Sequence, residues 1–152
     1  MELFHNIPLQ CAIIGWFAAE ILKIIINVIK SRSFKGIRFK NLFASGGMPS
    51  SHSAAIVALT AAIGYMEGMA CIPFAIAAVM SAIVMYDASG VRHETGEQAK
   101  ALNKIINELF SGNPEYSQKA FKELIGHTKL QVFMGALLGL LIGILVPFWL
   151  GY

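Results

Sequence analysis

Apolar residues fall into four long runs, separated by short polar breaks and by one long polar stretch. The first run, Leu9 to Ile29, is interrupted only by Gln10, Glu20, Lys23 and Asn27. A basic stretch from Lys30 to Lys40 and a glycine-marked turn, Ser45-Gly46-Gly47-Met48-Pro49, lead to an alanine-rich run from about Ser50 to Met66. Glu67-Gly68-Met69 makes a short hairpin into a third run, from about Ala70 to Tyr86, whose Pro73 is tolerable in a first helical turn. The last run extends from about Leu130 to Trp149. A bilayer needs about 20 helical residues, so the short second run must draw on its flanks. The pattern predicts an all-α fold: an integral membrane bundle of about four transmembrane helices in one domain over residues 1–152.

Between the third and last runs, Asp87 to Thr128 is polar. Within it Ala99, Leu102, Ile105, Ile106, Leu109 and Phe110 recur at helical spacing, with Lys100, Asn103, Lys104 and Asn107 between them. That spacing predicts an amphipathic helix. Ser111-Gly112-Asn113-Pro114 ends it, and a shorter helix, Tyr116 to Ile125, is expected next. Such an insertion could lie flat on the membrane or cap the bundle.

Composition agrees with the pattern. The chain has 152 residues, 56% hydrophobic and only 14% charged, against about 25% charged in soluble domains. Its mean hydropathy is +0.62. Cys11 and Cys71 stand alone in apolar stretches with no zinc-like spacing, as small buried hydrophobes do. The N-terminus lacks the basic start of a signal peptide, so the first run is expected to stay as a span.

Charge supplies the orientation. Lys30, Arg32, Lys35, Arg38 and Lys40 follow the first run, and Lys23 lies near that end of it. Arg92, Lys100, Lys104, Lys119, Lys122 and Lys129 lie between the third and fourth runs. The positive-inside rule then puts both basic loops in the cytoplasm and both termini outside, as in a multi-pass protein of a bacterial cell membrane. Gly135, Gly139 and Gly143 repeat every four residues, as do Ala54, Ala58 and Ala62. Small residues at that spacing let helices approach closely. The glycine stripe could serve a homo-oligomer as readily as an internal contact.

Three segments carry residues capable of chemistry, each at the cytoplasmic end of a predicted span. Gly46-Gly47-Met48-Pro49-Ser50-Ser51-His52-Ser53 opens the second helix, with Pro49 suited to its first position. Free N–H groups and the positive dipole end there make an anion site, to which Ser50 and Ser51 could add hydroxyls. The plainer reading is a serine-capped glycine turn with His52 as polar lining. Asp87-Ala88-Ser89-Gly90-Val91-Arg92-His93 closes the third helix. Arg92 is a permanently charged fork suited to phosphate, or equally a snorkelling headgroup contact. Gly126-His127-Thr128-Lys129 opens the fourth. His127 is either an interfacial histidine or an imidazole nucleophile, with Gln131 at i+4 placed to orient it. Glu20 and Lys23, costly inside a span, are spaced for a local ion pair, with an active-site role for Glu20 as the lesser reading.

Taken together, these residues resemble a known family. Pro49-Ser50-Ser51-His52 is similar to the Pro-Ser-Gly-His motif of type-2 phosphatidic acid phosphatases, relatives of the vanadium haloperoxidases. His127 to Val132, with Gly135 and Gly139 beyond, is similar to the same superfamily's His-x-x-x-Asp-Val-x-x-Gly signature. Gly46 to Ala54, Asp87 to Arg92 and Gly126-His127-Thr128 together resemble its divergent branch, in order over nearly the whole chain.

The resemblance implies a lipid phosphatase. His127 would be the nucleophile forming a phosphohistidine, and His52 would protonate the departing lipid oxygen. Gly47, Ser50 and the Ser51 backbone would hold phosphate oxygens, and Arg92 would neutralise them. Such chemistry uses no metal or other cofactor. The superfamily's first motif, a lysine followed after six residues by Arg-Pro, has no match here, and Arg38 or Lys40 could stand in for it. Gln131 occupies the usual aspartate position, so Asp87 or Glu94 would have to supply the missing charge.

The expected partners are the bilayer and a membrane lipid phosphate, such as phosphatidate, phosphatidylglycerol phosphate or a polyprenyl diphosphate, with no nucleic acid. Two other readings compete with catalysis. One is a non-catalytic protein that binds or moves a phospholipid headgroup through the same pocket. The other is a metal site from His52, His93, His127 and Asp87, which no sequential ligand spacing supports.

Overall fold

A computed structural model describes residues 5–31, 47–109 and 127–152. Five helices fill them: α1 Ile7–Ser31, α2 Ser51–Glu67, α3 Ile72–Ser89, α4 Val91–Leu109 and α5 Lys129–Leu150. No strand occurs among the described residues. By length and composition, Ile7–Ile29, a stretch within Ile72–Ile106, and Lys129–Leu150 can cross a membrane. At 17 residues α2 is shorter, or about 25 Å at 1.5 Å per residue. It is nonetheless the central helix, lying between α1, α3 and α5. The chain is an all-α integral membrane bundle. Within lipid every backbone polar group must find a partner inside the protein, which helices provide along their own length.

The bundle is small inside and large outside. Ala54, Ala58 and Ala62 of α2 and Cys11 and Ala19 of α1 are completely buried. Ile13, Phe17, Ile21, Ile76, Ile83, Phe133, Leu141 and Phe148 are exposed. Lipid tails solvate large apolar side chains as well as a core does, so close backbone packing has to come from small residues. A Cβ added at Gly135, Gly139 or Gly143 would strike the carbonyl oxygen of Ser50, Ala54 or Ala58 respectively. From the other side, a Cβ at Gly15 would sit 2.9 Å from the Ala54 carbonyl oxygen. The glycine stripe of α5 is therefore an internal contact with the alanine stripe of α2. Thr60 and Ser81 share a 2.8 Å hydroxyl bond between α2 and α3.

Local signals set the helix ends. Gly68 caps α2 at φ 86°, opening the expected hairpin. Cys71 then caps α3, its Sγ accepting from the Phe74 amide at 3.4 Å, so this thiol has a polar task where a plain hydrophobe was expected. Pro73 lies in the first turn of α3. α3 continues through Asp87 to Ser89, and only Gly90 separates it from α4, which begins eight residues before the predicted amphipathic stretch. Asn103 of α4 is buried, whereas Leu102, Ile105 and Leu109 are exposed. The predicted helix Tyr116 to Ile125 lies outside the described residues.

Candidate functional site

The site is assembled at the N-terminal ends of α2 and α5. Ser50 is the N-cap of α2, with its Oγ accepting from the Ser53 amide at 3.4 Å and from the Ser53 hydroxyl at 3.0 Å. Ser50, Ser51 and Ser53 are essentially buried. Pro49, expected at the first helical position, instead precedes the cap and is joined to Met48 by a cis bond. Once the Ser50 side chain takes the cap, the helix can begin only at Ser51. The Ser51 amide, at the first helical position, has no intrahelical carbonyl to bond. Gly47 adopts φ 109°, a conformation that favours glycine.

At α5 the cap is Thr128, whose Oγ1 accepts from the Gln131 amide at 3.3 Å while Gln131 Oε1 accepts from the Thr128 amide at 3.0 Å. This reciprocal capping box starts the helix at Lys129 and leaves His127 just ahead of it. The expected i, i+4 relation between His127 and Gln131 therefore does not arise from a shared helix face. Gln131 turns its carbonyl oxygen to the cap.

Two backbone bonds draw the three motif segments together. The Ser50 amide donates to the Gln131 carbonyl oxygen at 2.9 Å, and the His127 amide donates to the Ala88 carbonyl oxygen at 3.1 Å. The end of α3 and the starts of α2 and α5 thus meet at one corner. His127 is 6% exposed with Nε2 out of solvent, whereas His52 is exposed and Asp87 half-buried. Arg92 stands in the first turn of α4. Arg38 and Lys40 lie outside the described residues. A hollow of ≈ 730 Å³ borders this corner, lined by Tyr86, Ser89, Glu94, Gln98 and Lys129 among others. Among the described residues no three His, Cys, Asp or Glu side chains are grouped to hold a metal ion.

One residue at this corner was not among the expected site residues. Lys23 makes the expected ion pair with Glu20, Nζ to Oε1 at 2.7 Å. Its ammonium also donates to Ser51 Oγ at 3.2 Å, across 28 positions of sequence. The i, i+3 spacing announces the ion pair, but no local signal announces the serine.

Residues 4–142 match the divergent PAP2 family. The chain is also similar to the "Uncharacterized membrane protein YuiD" of Bacillus subtilis (strain 168), with 35% identity over 159 aligned positions covering 98% of this chain and 99% of that one. No solved structure matches it. The family match takes in all three motif segments that the two backbone bonds unite, and on that basis the chain belongs to the divergent PAP2 family.

Proposed function

We propose that this protein is a lipid phosphatase, acting at the cytoplasmic face of a bacterial cell membrane with both termini outside. The observation that carries the reading is the corner itself. Ser50 is bonded to Gln131 and His127 to Ala88, so the segments bearing the proposed nucleophile, acid and phosphate cradle converge. The side on which the corner lies follows from the basic residues.

In this reading an imidazole nitrogen of His127 attacks phosphorus and the bond from phosphorus to the lipid oxygen breaks. His52 gives that oxygen its proton. Water then attacks the phosphohistidine, His52 takes a proton back, and inorganic phosphate leaves. Dividing one hard displacement into two easier ones is the gain from a covalent nucleophile. Positioned donors and charge around the phosphoryl group supply the rest, from Gly47, Ser50, the Ser51 amide and Arg92. Arg38 or Lys40 would add cationic charge from the basic stretch after the first span, and Asp87 would offset charge on the phosphohistidine. The hollow beside Ser89 and Lys129 offers room for the part of a headgroup beyond the phosphate. Phosphatidate, phosphatidylglycerol phosphate and polyprenyl diphosphates are the substrate candidates.

The test is phosphate release by the purified protein in detergent across those three lipids. His127→Ala should abolish release and His52→Ala should slow it severely; full activity in His127→Ala removes the nucleophile assignment. A second reading, a headgroup-binding or lipid-transport protein without turnover, is favoured by Gln131, an uncharged residue engaged in the helix cap. Phosphate trapped on His127 excludes it, and lipid binding without release supports it.

A further inference from the structure

Lys23 is 8% exposed within an apolar span, where a charge is expensive. A local ion pair with Glu20 would be complete on α1 alone. The ammonium nevertheless also engages Ser51, the first residue of α2. That is the positive end of the α2 dipole, which repels a cation and attracts an anion. The stem of Lys23 passes Gly47, where an added Cβ would lie 3.5 Å from its Cδ, so the ammonium reaches α2 beside the glycine turn.

The donor inventory points the same way. An ammonium has three N–H donors, and the described partners of Lys23 are Glu20 Oε1 and Ser51 Oγ. Ser51 accepts from Lys23, which leaves its own hydroxyl proton and its first-turn amide to give. A buried ammonium, a hydroxyl and a helix-start amide at one serine are the kinds of donor that an oxyanion cradle uses. A bound anion reconciles the ammonium with the helix terminus it faces.

We infer that Lys23 is the cation that grips the phosphoryl group of the substrate beside Ser51, and that Glu20 is its resting counter-ion. The inference rests on the phosphatase reading above. It places a phosphate-binding cation on the first span, whereas the sequence pointed to Arg38 or Lys40 in the basic stretch that follows it. Glu20 keeps the ammonium compensated while the cradle is empty, and the incoming phosphate displaces that carboxylate.

The experiment titrates the purified full chain in detergent with orthovanadate, a tetrahedral phosphate analogue, and follows phosphate release from the preferred lipid. Losing a charge-assisted hydrogen bond to the anion should weaken orthovanadate binding and raise KM by about tenfold in Lys23→Met. Lys23→Arg should recover most of that loss, and Glu20→Gln should bind orthovanadate more tightly than the wild type. Removing one partner of a buried pair can unfold a protein, whereas removing both often does not. The double variant Glu20→Gln/Lys23→Met therefore keeps the test decisive and should show the same weakening. Unchanged orthovanadate affinity in that double variant, beside a wild type that binds it, overturns the inference and leaves the phosphatase reading standing. A wild type that neither binds orthovanadate nor releases phosphate overturns both.

Discussion

The Ser50 amide donates to the Gln131 carbonyl oxygen at 2.9 Å, tying the cap of α2 to the first turn of α5. A carbonyl oxygen has two lone pairs, so Gln131 can accept this bond and still serve its own helix. The bond lies between backbones, and side-chain replacement at either residue leaves its atoms in place. It can be perturbed through Gly135, one turn further along α5, where a Cβ would meet the Ser50 carbonyl oxygen.

Gly135→Ala should therefore lower both stability and activity. Overpacking of this kind costs about 1–3 kcal/mol. The unfolding midpoint in detergent and the rate of phosphate release should fall together. Gly15→Ala approaches the Ala54 carbonyl oxygen from α1, at the last residue of the Gly46–Ala54 segment and one turn beyond the Ser50 cap. It should lower the midpoint with a smaller effect on release per degree lost.

Thr128→Ala removes half of the capping box that sets the start of α5. Loss of a threonine cap costs about 1 kcal/mol. His127 is the preceding residue, so fraying of this turn should reduce kcat for phosphate release more than it raises KM. Thr128→Ser should restore both. Equal loss in the serine variant would show that the cap does not position His127.

The hydroxyls of Thr60 and Ser81 are bonded at 2.8 Å between α2 and α3. Interhelical hydrogen bonds in membrane proteins are worth about 0.6 kcal/mol on average. A double-mutant cycle of Thr60→Val and Ser81→Ala, read by unfolding in detergent, should give a coupling energy near that value. Additive effects would mean that the pair contributes nothing beyond packing.

Orientation is open to direct chemical reading. Lys104 has a 79% exposed side chain on α4, and His5 lies exposed at the opposite end of the bundle. In intact cells, a membrane-impermeant maleimide should label a cysteine introduced at His5 and not one introduced at Lys104. The positive-inside assignment fails if the pattern is reversed.

Much of the fold was legible in one dimension. The apolar runs located α1, α2, α3 and α5 to within about three residues at each end, because span length and hydropathy are local properties. The glycine and alanine stripes could be read as close-packing faces for the same reason. The capping box was also written in the sequence, as Thr128 three residues before Gln131.

What only the tertiary structure decided is how the helices are turned and staggered against one another. A span that is apolar on every side carries little record of which face meets which neighbour, since lipid accepts any of them. That choice depends on many weak contacts summed across the bundle. It sets the glycines of α5 against the Ser50, Ala54 and Ala58 carbonyls. It also brings Lys23, 28 residues away in the chain, to the first serine of α2. The sequence by itself determined a membrane bundle with its motif segments at helix ends. The packing of α1 and α5 against α2 decided which side chains share that corner.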